Sequence, residues 1–121
     1  MIYVTGDTHG DIDYKKLLTL KEKNISYKDY LIICGDAGIC WSPESFPYML
    51  ELYRDIGCTI IFVDGNHENF DMLEQAPLVE YKGALMHHID DHIFHILRGE
   101  IMTLEGKTFL CLGGACSIDK M

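Results

Sequence analysis

Five residues of this chain have the types and the spacing to work on divalent cations: Asp7, His9, Asp36, Asn66 and His67. They stand in three short blocks, Thr5-Gly6-Asp7-Thr8-His9, Gly35-Asp36 and Gly65-Asn66-His67-Glu68. Two carboxylates, a carboxamide and two imidazoles supply oxygen and nitrogen donors without thiolate, a set suited to Mn, Fe, Zn or Mg. A carboxylate between two such ions can bridge them at about 3.5–4 Å, as in two-metal hydrolysis of phosphate esters. Asp36, in the middle block, is the natural bridge. Taken singly these residues carry less. An aspartate after a glycine more often caps a helix or forms a turn, Asn66 beside Gly65 is an ordinary turn pair, and a lone histidine usually decorates a loop. The argument lies in their joint occurrence.

Something must bring the blocks together, and the spacing says what. Asp36 follows Asp7 by 29 positions and Asn66 follows Asp36 by 30, about one βαβ unit each. The residues before each block are strand-like: Ile2-Tyr3-Val4-Thr5, Tyr30-Leu31-Ile32-Ile33-Cys34 and Thr59-Ile60-Ile61-Phe62-Val63. The last two are almost wholly apolar, as strands are when both sheet faces are covered. Helical patterns fall between and after them, over 13–23, from Pro43 or Ser45 to Asp55 with Gly57 as the stop, and over 69–75 before Pro77. Right-handed crossovers would lay the three strands parallel. All three blocks then reach the carboxyl edge, where open α/β sheets bind ligands. The last third changes character. Residues 93–97, 100–104 and 107–112 read as short strands, with Gly99 and Gly106 as hairpin connections, so an α/β part gives way to a β-meander within one domain over 1–121.

Composition narrows the function classes. A net charge of −9 repels a phosphate backbone, so no nucleic-acid partner is expected. No apolar run approaches the roughly 20 residues that cross a bilayer. The five cysteines lack a CxxC pair and sit in apolar runs such as Phe109-Leu110-Cys111-Leu112, where a thiol serves as a small hydrophobe. That usage suits a reducing compartment, and with no leader pattern at the N-terminus the expected location is cytoplasmic.

Gly6-Asp7-Thr8-His9-Gly10, Gly35-Asp36 and Gly65-Asn66-His67-Glu68, in that order and each behind a strand, resemble the first three signature blocks of the calcineurin-like metallophosphoesterases. The small bacterial branch with GDTHGD as its first block is the most similar. The resemblance implies a hydrolase with an αββα sandwich, present here as the N-terminal βαβαβ half plus a meander. It assigns Asp7 and His9 to one metal, Asp36 as the bridge and Asn66 to the second metal. His67 stands by the leaving-group oxygen as the catalytic acid or charge stabiliser, and the nucleophile is a hydroxide held between the two ions. The substrate implied is a phosphomonoester or phosphodiester.

The chain also departs from that pattern. Ile39 stands three positions after Asp36, where family members commonly carry a charged residue. The later blocks, a lone His and a Gly-His-x-His, are not recognisable. By the family template one metal keeps Asp7, His9 and Asp36, and the other only Asp36 and Asn66, so one ion or none is the expectation here against two in the full site. A half-sandwich would leave one sheet face apolar, to be covered by a second copy or a protein partner. The competing reading is therefore an inactive derivative of the family that works by protein–protein binding. Four histidines, His87, His88, His92 and His95, read as surface or core residues of a strand more readily than as ligands. Trp41, Phe46 and Tyr48 read as packing under a loop, Met49, Leu50 and Tyr53 as core, and Arg98 as an exposed ion-pairing residue within reach of a phosphate.

Overall fold

The apolar runs identified above become the centre of a six-stranded sheet. The computed structural model describes residues 1–5, 25–35, 40, 42–64, 69–112 and 115–119. Strands β1 (Ile2–Thr5), β2 (Tyr30–Cys34), β3 (Thr59–Val63), β4 (Leu78–Tyr81), β5 (Ala84–Asp90) and β6 (Ile93–Ile96) lie in the order β1-β2-β3-β6-β5-β4. The first four in that order are mutually parallel, and β5 and β4 are antiparallel additions. Strands β7 (Glu100–Leu104), β8 (Lys107–Leu112) and β9 (Ala115–Asp119) form a separate antiparallel sheet.

Period-2 alternation splits the core in two. Leu31, Ile33, Ile60 and Phe62 face one way, onto helix α1 (Phe46–Arg54) through Met49, Leu50 and Tyr53 and onto helix α2 (Phe70–Gln75) through Leu73. Ile32, Ile61 and Val63 face the other way, onto Met102, Leu104, Phe109 and Cys111 of the second sheet. β3 is buried throughout, as its uninterrupted Ile-Ile-Phe-Val demands. The α/β class and the sheet-on-sheet layering expected from sequence are thus both present.

Three expectations need correction. Residues 93–96 do not start a meander, because β6 completes the parallel sheet beside β3. Gly99, at φ +83, consequently turns a corner between the two sheets, whereas Gly106 does close the β7–β8 hairpin. The β4–β5 hairpin was not anticipated. Its turn residues Lys82 and Gly83 both have positive φ, as do Glu105 and Gly106, which is the type I′ signature. The larger sheet, finally, has its far face covered by the second sheet, so the open face is the outer one of the second sheet, where Ile101 and Leu110 are exposed.

The helix expected over 13–23 lies outside the described residues, as does Trp41. Phe46 opens α1 and packs half-buried on the core, whereas Tyr48 is exposed. Cys34, Cys40, Cys58 and Cys111 are in no disulfide among the described residues. Burial pushes the Cys58 thiol up to about 12, which leaves it unreactive. Among the described residues no helix is long and apolar enough to cross a membrane.

Candidate active site at the carboxyl edge

Asp7, His9, Asp36, Asn66 and His67 all lie outside the described residues, but the strands that deliver them do not. Thr5 pairs with Ile33, Ile33 with Phe62, and Phe62 with His95. Four parallel strands therefore stop at one level, and three of them lead directly into the three blocks. Beyond the strand ends, the segments after β2 and β3 also return to one place. Buried Cys40, after the Asp36 block, accepts at 2.7 Å through its carbonyl from the backbone N–H of Asn69, after the Asn66 block. The two segments thus start side by side at Cys34 and Val63 and finish joined. Asn69 then caps α2, its side-chain oxygen accepting from the Met72 N–H at 3.2 Å, which satisfies one of the unpaired donors of the first turn.

Beneath this edge lies a buried polar chain that sequence reasoning missed. Asp64, one residue past β3, has a side chain only 2% exposed. Its Oδ1 is 3.0 Å from His95 Nε2, and its Oδ2 accepts from Arg98 Nε at 2.6 Å and lies 2.6 Å from Arg98 Nη2. His95 continues inward, its Nδ1 lying 3.0 Å from Nδ1 of His87. With the Nε2 proton of His95 directed at the carboxylate, His95 Nδ1 accepts and His87 Nδ1 donates. Burial alone would raise the Asp64 carboxyl, but the N–H groups of His95 and Arg98 outweigh it and hold it below the usual carboxylate range. The His87 imidazole is pushed down, first by burial and then by His95.

The histidines expected to be surface or core residues divide accordingly. His87 and His95 are core residues, His92 stacks on Tyr27 and His88 on Phe94. Arg98 is the exposed ion-pairing residue expected, and its partner is a carboxylate removed from water. A signal was present in the sequence: Asp64 directly follows the apolar run 60–63, and His95 interrupts the apolar run 93–96. A buried polar group is retained only with partners.

Parallel strands that end at one level, three of them directly before the polar blocks, with a desolvated Asp–His–Arg cluster at the same edge, define an α/β protein. The sequence model of the calcineurin-like phosphoesterases matches residues 1–120, and the chain belongs to that family. No curated protein and no solved structure matches it. The chemistry of the family is metal-dependent hydrolysis of phosphoesters, with divalent ions as cofactors.

The donor types of the three blocks suit such ions. Neighbouring strands stand about 4.8 Å apart, so the ends of β1 and β3 are separated by roughly 10 Å with the end of β2 between them. A pair of ions about 3.5–4 Å apart, with bonds of about 2 Å, would span that width, and the donors are of the hard oxygen and nitrogen type. Among the described residues no group of three or more His, Cys, Asp or Glu could hold a metal, so the metal reading depends on the five residues of the blocks.

Proposed function

We propose that the chain hydrolyses phosphomonoesters or phosphodiesters with divalent ions, manganese being the first to test. Asp7, His9 and Asp36 would hold one ion, and Asp36 and Asn66 the second. Such ions, when bound, acidify a water towards neutral pH and offset the charge on the phosphoryl group. The chain's own residues supply the rest. The carboxylate of Asp36 would be shared between the ions and so set the spacing of the site. Asn66 offers a neutral oxygen, which leaves the site less negative than a third carboxylate would and so favours an anionic substrate. His67 donates a proton to the leaving-group oxygen or stabilises its charge. In this reading residues 1–121 act as one domain in the cytoplasm.

One observation carries the proposal: the segments that contain Asp36 and Asn66 begin on paired strand ends and finish at the Cys40–Asn69 hydrogen bond. The test is hydrolysis of bis(p-nitrophenyl) phosphate and p-nitrophenyl phosphate with Mn2+. Turnover should vanish with chelator, and Asp36→Asn should lower it by at least about 100-fold, in line with loss of a group that acts in the transition state. A wild-type protein that binds Mn2+ but turns over neither ester, and that forms a defined dimer or complex, would instead favour the inactive binding module.

A further inference from the structure

Arg98 sits one residue beyond Leu97 at the carboxyl end of β6. It touches one described residue on each side of 65–68 in the sequence. Its Nε and Nη2 bind Asp64 on one side, and its guanidinium carbon lies 5.7 Å from the ring centroid of Phe70 on the other. Its side chain is nevertheless 59% exposed. A guanidinium has five N–H groups in a rigid plane. The Nε–H goes to Asp64 Oδ2, with Nη2 2.6 Å from the same oxygen, and the rest of the fork has no hydrogen-bond partner among the described residues. Asp64 needs no more of them, because its other oxygen is taken by His95.

The remaining described cations are occupied or lie elsewhere. Arg54 holds Asp90 at the opposite edge, and Lys82 lies over the rings of Tyr30 and Tyr81. Lys28 precedes β2 at the amino edge, and Lys107 begins β8 next to Glu105, which reaches the N-terminal amine there. Among the described residues, Arg98 is thus the cation that is fixed from behind and open in front at the edge carrying the three blocks.

We propose that Arg98 is a substrate-binding residue of this site, the N–H groups without a partner among the described residues taking phosphoryl oxygens of the phosphoester while Asp64 and Phe70 hold its plane. Fixed in advance, the guanidinium loses little conformational freedom on binding, and its fork matches two phosphate oxygens. This inference rests on the proposed function for the identity of the anion, but its test does not need turnover.

Inorganic phosphate is titrated calorimetrically into metal-free and Mn2+-loaded protein, and Mn2+ is titrated separately. Two variants are compared with wild type: Arg98→Lys, and the double variant Asp64→Asn/Arg98→Gln, which leaves a neutral hydrogen-bonding pair and no unbalanced carboxylate. Both should weaken phosphate by about tenfold or more, the loss of one charge-assisted bidentate contact, with Mn2+ affinity and melting temperature near those of wild type. Unchanged phosphate affinity in the double variant overturns the proposal, as does a loss that merely tracks a loss of Mn2+ affinity, since Arg98 would then be only a partner for Asp64. Absence of phosphate binding by wild type in both states overturns it too. Failure of wild type to bind Mn2+ removes the proposed function instead, and the metal-free titration still decides the role of Arg98.

Discussion

The two edges of the parallel sheet handle charge in opposite ways. At the amino edge the ionic contacts stay at the surface and join separate elements. The N-terminal amine bonds Asp29 at 2.8 Å and Glu105 at 2.9 Å, and Arg54 of α1 grips Asp90 with two hydrogen bonds of 2.6 and 2.7 Å. Water can replace every one of these partners. At the carboxyl edge Asp64 has been taken out of water altogether and is kept ionised by His95 and Arg98. Hydrogen bonds at both sites are short, so length does not distinguish them. Desolvation does: at the amino edge a broken contact rehydrates, and at the carboxyl edge it leaves a buried polar atom without a partner. Such a cluster fixes Asp64, two residues before Asn66 in the sequence, more firmly than any exposed pair could.

Asp64→Ala is the largest expected perturbation of that contrast. Arg98 would return to solvent at little cost, but the buried His95 Nε2–H would lose its acceptor, which costs about 1–3 kcal/mol. With the small cavity added, a loss on the order of 2–3 kcal/mol in urea unfolding is expected, together with weaker Mn2+ binding if Asp64 positions the Asn66 block. Unfolding indistinguishable from wild type would mean that the two edges do not differ in the way described.

How far the sequence discloses this arrangement depends on the range of each signal. The three parallel strands were legible because each is a short apolar run stopped by a glycine and a polar residue, all local features. Helix α1 was legible in the same way: its core positions Met49, Leu50 and Tyr53 fall at helical spacing, and they are buried as expected. The partner of β6 was not legible. Ile93-Phe94-His95-Ile96 has no local mark that distinguishes pairing with distant Thr59–Val63 from pairing with the next strand, so the nearer partner was assumed. The β4–β5 hairpin went unread because Lys82-Gly83 is a weaker turn signal than Asn-Gly or Asp-Gly, although Lys82 adopts the same positive φ. The polar chain was missed for a related reason. Asp64, His87, His95 and Arg98 look unrelated along the sequence, and only the unread β5–β6 pairing, which sets His87 opposite His95, brings them together.

A smaller effect, confined to acid pH, sharpens the comparison at the inner end of the chain. Burial, and then His95, hold the His87 imidazole below its ordinary value of about 6.5. Between that unfolded value and the lower folded one, the unfolded chain takes up a proton that the folded protein refuses, so stability is complete above about pH 6.5 and declines as the pH falls. The depressed carboxyl of Asp64 acts in the same direction but lower, its contribution being lost only as the pH falls below about 3.9. His87→Gln keeps a donor towards His95 and does not titrate. Its melting temperature should fall less than that of wild type between about pH 7 and pH 5, and the two should run parallel above that window. Equal slopes throughout would show that His87 contributes nothing to acid sensitivity.

The smallest effect belongs to the amino edge. Arg54→Ala removes both hydrogen bonds to Asp90, yet the arginine is largely exposed and the freed carboxylate can be hydrated where it stands. Exposed pairs of this kind gain little because ordering two side chains offsets most of their attraction, and salt screens the remainder. The variant should melt within replicate scatter of wild type at physiological salt, bind Mn2+ and phosphate equally well, and show a slight deficit only at low ionic strength. A loss comparable to that of Asp64→Ala, persisting in high salt, would mean that this contact is shielded from water, and the contrast between the two edges would then rest on position in the sheet and no longer on desolvation.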